Sequence, residues 1–176
     1  MTVVADTSPI NYLIQVGEIG LLRRLFGTVL IPRKVQDELR SSGAPDAVSS
    51  WIKQAPNWLQ VRDVHNAEME RVTQSLTNPK LQTISKNLDA GEREAIALAL
   101  QLRPHFLIID ERQGRKVAKG LDLQITGTLG VLDRADDKGM VKDLPQLVDR
   151  LVNHTTFRVG QDQVDYILRR HHLRQR

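Results

Sequence analysis

The chain has 176 residues, 40% of them hydrophobic and 26% charged; two independent cores would leave each half below about 90 residues, so one compact soluble domain is expected. It contains no cysteine, which excludes a disulfide scaffold, thiolate zinc, iron–sulfur ligation and a cysteine nucleophile, and leaves oxygen or histidine to hold any metal. The formal charge is +4, of which Phe157 to Arg176 contributes +3 through five arginines against Asp162 and Asp165; the surplus describes a basic appendage on a nearly balanced body.

The run Thr2–Ala5 is β-branched and stops at Asp6, and the apolar series Ile10, Leu13, Ile14, Val16 follows. This reads as strand, turn and helix, with Ser8 as N-cap and Pro9 at the first helical position. Leu21, Leu22, Leu25 and Phe26 continue a helical spacing, TVLI at 28–31 reads as a strand closed by Pro32, and the next helix carries Val35, Glu38 and Leu39 on one side. A helix over 44–53, a strand over 58–61 and a helix over 66–76 come next. The polar stretch 66–88 ends in the segment around Asn78-Pro79, expected to be the least structured and mobile. Gly91–Leu102 reads as a helix, FLII at 106–109 as a strand, 111–119 as a helix, LQIT at 123–126 as a strand and 128–138 as a helix.

Strands alternating with helices imply a three-layer α/β/α sandwich around a central, mainly parallel sheet of about five strands, because parallel neighbours need long crossovers. The organisation expected is a domain over 1–152 and a basic, helical C-terminal extension over 153–176, where Val164, Ile167 and Leu168 lie beside Arg169 and Arg170. No apolar run approaches the roughly 18 residues of a membrane span and no signal peptide opens the chain, so a cytoplasmic location without membrane partners is expected.

In such a sheet, ligands gather beyond the carboxyl ends of the strands. Asp6 follows the first strand and Asp110 the fourth; on adjacent strands, about 4.8 Å apart, both reach one small site. Singly, each is an ordinary turn residue. Glu38 falls on the buried side of its helix, and Glu92 extends the apolar stripe of Ala95, Ile96 and Ala99. Asp89 and Glu92 also have the spacing of a capping box, so capping is assigned mainly to Asp89 and the site to Glu92. Two ionised carboxylates about 5 Å apart repel by roughly 3 kcal/mol at an effective dielectric near 20. Magnesium or manganese, with hard oxygen ligands and retained waters, offsets that repulsion; protonation of one carboxyl is the alternative.

A cation held by carboxylates suits phosphodiester hydrolysis. Thr7 or Ser8 adds a hydroxyl, Glu111 stands beside Asp110, and Arg112, Arg115 and Lys116 are placed to hold phosphates or, equally, to form a solvated helical face. There is no G-x-G-x-x-G after a strand, no P-loop and no G-x-S-x-G, which removes dinucleotide binding, P-loop NTP hydrolysis and a serine elbow. His65, His105, His154, His171 and His172 have no ligand spacing and are expected at the surface.

In order, VVADTSPI, IPRKVQDEL, LDAGEREAIALAL, LIIDERQGRKVAKGL and ITGTLGVL resemble the PIN-domain family, and most of all its bacterial and archaeal subgroup of VapC-like toxins, over roughly residues 1–152. The resemblance implies a magnesium- or manganese-dependent ribonuclease, often a toxin neutralised by an adjacently encoded antitoxin and commonly a homodimer. By motif position it carries the acidic quartet onto Asp6, Glu38, Glu92 and Asp110, with Ser8 as a polar accessory. The third acid is often aspartate in that family and is Glu92 here; a Thr-x pair often precedes the fourth, where this chain has Ile108-Ile109. A catalytically silent PIN-like module binding RNA or protein, and a DNA nuclease on the same site, are the alternatives.

Overall fold

A computed structural model describes residues 1–77 and 88–174. Five parallel strands, β1 (Thr2–Ala5), β2 (Thr28–Pro32), β3 (Leu59–Arg62), β4 (Phe106–Ile108) and β5 (Ile125–Thr126), form one sheet in the order β3-β2-β1-β4-β5. Helices α1 (Thr7–Gln15) and α2 (Gly20–Phe26) join β1 to β2, and α3 (Arg33–Arg40) and α4 (Asp46–Lys53) join β2 to β3. Helices α5 (Asn66–Leu76) and α6 (Ala90–Leu102) lie between β3 and β4, α7 (Arg112–Gly120) between β4 and β5, and α8 (Thr128–Asp137), α9 (Leu144–Asn153) and α10 (Gln161–Arg174) follow. The Asn78-Pro79 segment lies outside the described residues.

Side chains alternate across the pleat, and the two faces of the sheet fill separate apolar clusters. Val3, Ala5, Val29, Ile31 and Ile108 pack with α1–α4 and α8–α10, whereas Val4, Leu30, Leu107 and Ile109 pack with α5–α7. Burial on both faces is why these strands read as continuous apolar runs. The architecture is the three-layer sandwich expected from the alternation.

Two local expectations change. The first helix begins at Thr7 with Asp6 at its N-cap position, and neither Asp6 nor Ser8 makes a side-chain cap bond. The strand runs straight into the helix, because the Asp6 N–H donates to Ile108 O at 3.0 Å and extends the ladder by one rung. Pro9 then sits third in the helix, still among the N–H groups without an intrahelical acceptor, so its ring is tolerated there. Strand β5 is shorter than LQIT, because the Leu123 N–H donates to Ala118 O at 3.0 Å. Asp122, at φ 60, takes the left-handed turn that closes α7 in this way.

The segment after α9 returns to the core. Phe157 and Ile167 are buried in the first cluster, and α10 is tied to α8 by ion pairs. Arg174 reaches Asp133 at 2.9 Å, Asp136 at 2.8 Å and Asp137 at 3.1 Å, and Arg170 reaches Asp133 at 3.2 Å. His171, expected at the surface, is only 8% exposed, with Nδ1 at 2.9 Å from Asp136 Oδ1. Its position on the inward face of a terminal helix is set by the distant α8, which no local spacing reports. Removing the shared acceptor leaves the buried His171 Nδ1 without its partner and takes one of three carboxylates from Arg174, so Asp136→Ala should cost about 2 kcal/mol in urea unfolding. Asp137→Ala, whose side chain is 63% exposed, should cost less than about 1 kcal/mol. Equal costs would show that the clasp is only a surface contact.

Candidate active site

The sheet order reverses at β1, which has β2 on one side and β4 on the other; this is the switch point where an open parallel sheet leaves a crevice. Asp6 ends β1 and Asp110 lies two residues past β4. The register Ala5↔Ile108 places Asp6 one step short of Asp110, so the pleat sends them toward different faces. Asp6 is in phase with Val4, on the α6 side, and Asp110 with Ile108, on the α1 and α8 side.

On the α6 side, three acids meet the N-terminus of that helix. Asp89 and Glu92 form the capping box: Asp89 Oδ1 accepts from the Glu92 N–H at 2.7 Å, and Glu92 Oε2 accepts from the Asp89 N–H at 3.0 Å. Glu38 Oε1 accepts from the Gly91 N–H at 3.1 Å, and Glu38 Oε2 from the Thr7 hydroxyl at 2.5 Å. Helix α3 is held there by Glu94, which caps it through the Lys34 N–H at 3.1 Å. The carboxylate of Glu38 lies where a Cβ on residue 91 would stand, so glycine is required for this approach. Likewise, a Cβ at Gly114 would come to 2.8 Å from Glu92 Oε1. Two carboxylate oxygens, Asp6 Oδ1 and Glu92 Oε1, are buried without a hydrogen-bond partner.

Burial at this point disfavours charge. Asp6, 2% exposed, is raised well above the usual carboxylate range by burial and by Glu92, Asp89 and Glu38, with the Thr7 N–H opposing. Burial raises Glu92 to about 7, the Asp89 N–H opposing and Asp89, Glu111 and Glu38 adding to the rise. The positive end of the α6 dipole offsets part of this cost.

Asp110 is held separately. Its Oδ1 accepts from the Thr128 N–H at 2.8 Å and its Oδ2 from the Thr128 hydroxyl at 2.6 Å. A Cβ at Gly127 would stand 2.7 Å from Asp110 Oδ1, so the β5–α8 turn closes directly on the carboxylate. Burial raises Asp110 and the two Thr128 bonds oppose, as does Arg115, whose Nη1 donates to Ile109 O at 2.8 Å. Beyond Asp110 opens a cleft of about 780 Å³ between α7, β5 and residues 156–163, whose lining includes Glu111, Arg112, Arg115 and Lys116. Glu111 acts on both halves, raising Glu92 and Asp110 alike.

Asp6, Glu38, Glu92 and Asp89 therefore gather on one side of the switch point, and Asp110, with Glu111 and the three basic residues, on the other. Among the described residues, no three acidic or histidine side chains close on a single point as a finished ligand set. Ser8 makes no bond to the acids, and Thr7 supplies the hydroxyl.

A family model described as a PIN domain matches residues 2–172. The chain belongs to the PIN-domain family. No curated protein matches it. The match reaches into α10 and takes in Arg170 and His171, two of the residues that clasp α8.

Three contributors to this PIN domain's site escaped sequence reasoning: Thr128, Gly91 and Gly127. ITGTLGVL carries two of them, yet its role as a cradle depends on a contact 18 positions away in the chain. Thr128→Val should leave Asp110 Oδ2 buried without its donor and cost about 1–3 kcal/mol in chemical unfolding, and Thr128→Ser should restore most of it. Failure of serine to rescue would put the role in methyl packing instead.

The folded protein binds the Glu92 proton more tightly than the unfolded chain does, whose carboxyl titrates near 4.5. Metal-free stability from this group should therefore rise as pH falls through about 7 and level off below about 4.5. Glu92→Gln should be the more stable protein at pH 8 by up to about 3 kcal/mol and converge on wild type as the pH falls to about 4. A constant difference across that range in thermal melts would locate the effect elsewhere.

Proposed function

We propose that this PIN domain is a metal-dependent endoribonuclease whose acids are Asp6, Glu38, Glu92 and Asp110. The observation that carries the reading is the pair of buried, unpartnered oxygens on Asp6 and Glu92, next to Glu38 at the switch point of the sheet. Buried charges of one sign without donors are costly unless a cation or a proton is shared between them. Their hard oxygen chemistry fits magnesium or manganese, with Asp6 and Glu92 as holders and Glu38 and Asp110 as the outlying acids. Such an ion, when bound, neutralises phosphodiester charge and makes water easier to deprotonate.

The chain's own groups do the rest. Thr7 and the Gly91 N–H fix the rotamer of Glu38, Asp89 fixes Glu92, and Thr128 fixes Asp110, so the carboxylates are oriented before substrate arrives. Arg112, Arg115 and Lys116 hold the phosphate backbone in the cleft. Glu92, raised to about 7 without a cation, gives up its proton when it holds one. The order of motifs further supports a VapC-like toxin acting in the cytoplasm as a homodimer, with an antitoxin as its natural inhibitor. Among the described residues, no helix is long and apolar enough to cross a membrane.

A second reading, a catalytically silent nucleic-acid-binding PIN module, is favoured by the hydrogen bonds that already occupy both oxygens of Glu38 and of Asp110. Cleavage of RNA with manganese separates the two. Asp6→Asn and Asp110→Asn should each lower kcat/KM by at least about 100-fold, or roughly 3 kcal/mol. Manganese at about ten times its Kd should raise the melting temperature of wild type by roughly 4 °C and leave Asp6→Asn unmoved. Cleavage that survives both substitutions, or persists in chelator, excludes the nuclease reading; no cleavage together with no thermal shift supports the silent one.

A further inference from the structure

The cleft beside Asp110 has two banks. Helix α7 supplies Arg112, Arg115, Lys116 and Lys119, and the segment leading into α10 supplies Arg158 across from them. Among the described residues, none of these five cations forms an ion pair, whereas Arg170 and Arg174 are paired with Asp133, Asp136 and Asp137. The basic C-terminal segment thus has two roles: the positive charge of Arg170 and Arg174 is neutralised by α8, and Arg158 stays exposed to the cleft.

Its position is built, too. Phe157 next to it is 4% exposed and packs edge-on against Tyr12 at 5.2 Å between ring centroids. Arg158 Nη1 donates to Phe157 O at 2.9 Å, and its Nε and Nη2 donate to no protein acceptor among the described residues. The α10 clasp, through His171 and Arg174, keeps the whole bank in place.

We infer that Arg158 and Lys119 are phosphate-holding residues on opposite banks of a groove for a single nucleic-acid strand, which leads the strand to Asp110. The inference rests on the nuclease reading for what happens at the acids, but the groove is measured without cleavage. Five unpaired cations around a cleft that ends at Asp110 and Glu111 call for a long polyanion, since a compact anion would leave most of them unmatched.

The test is fluorescence anisotropy of the full chain with a labelled single-stranded RNA oligonucleotide, in chelator so that nothing is cut, over a series of salt concentrations. Each phosphate contact on a single strand contributes about 0.7 to the slope of log K against log salt. Arg158→Ala and Lys119→Ala should each reduce that slope by about 0.7 and weaken binding by about three- to tenfold at low salt. Arg158→Lys should keep the slope, and Arg169→Ala, exposed on α10 away from the cleft, should change neither quantity. Unchanged slopes for Arg158→Ala, or an equal loss for Arg169→Ala, overturn the proposal. Polyglutamate displacing the RNA as well as an equal charge of unlabelled RNA does so as well, because it would make an acidic protein the ligand. Normal binding without cleavage in manganese would defeat the nuclease reading and leave the groove standing; cleavage with an unaltered slope would do the reverse.

Discussion

The N-terminus of α6 is the point on which the site depends. Four carboxylates surround or approach it, and two of them are nearly fully buried: Asp6 at 2% and Glu92 at 3% exposed. Such burial is costly for charged groups, and the structure offsets it in three ways. Backbone N–H groups of the first helical turn serve as donors to Asp89 and Glu38, the helix dipole places positive potential there, and the ionisation of Glu92 is shifted upward until its proton is easily exchanged at neutral pH. Each device uses backbone or neighbouring acids, and among the described residues no lysine or arginine pairs with these four carboxylates. A paired cation would quench the negative potential on which the proposed divalent ion depends.

The opposite balance holds in the basic regions. At the α8–α10 seam every acid of the Asp133, Asp136 and Asp137 group meets a cation, and the result is mechanical: the last helix is fastened to the core. Around the cleft, among the described residues, the cations form no ion pairs, and their charge stays available to a ligand. A net charge of +4 says nothing of this division, because it sums charges already neutralised with charges still available.

Much of this was legible in the letters. The strand that stops at Asp6 and the capping-box spacing of Asp89 and Glu92 are local signals, and the structure shows both, whereas β4 ends at Ile108, one residue short of the expected strand and two short of Asp110. The alternation of apolar runs with helical stripes led directly to the parallel sheet, since burial on both faces removes the two-residue period that a half-exposed strand would show. What escaped depends on contacts distant in sequence. The Thr128 cradle, the approach of Gly91 to Glu38 and the burial of His171 against Asp136 span 18, 53 and 35 positions. Ser8 was misread for a subtler reason: cap statistics favour serine before proline, but the ladder bond from the Asp6 N–H had already set where the helix begins.

The partition of the acids follows from the same geometry. Asp6 and Asp110 extend adjacent strands but differ by one residue in register, and in a pleated sheet one residue reverses the face. A site spanning both must work across the rim of the sheet, not on one of its faces. Glu111 is the group able to join the halves, since it follows Asp110 and acts electrostatically on Glu92 as well. The fixed rotamers of Glu38 and Asp110 then act as walls of the crevice, and the unpartnered oxygens of Asp6 and Glu92 mark its floor. On the proposed nuclease reading, a phosphodiester in the basic cleft meets Asp110 before the buried pair.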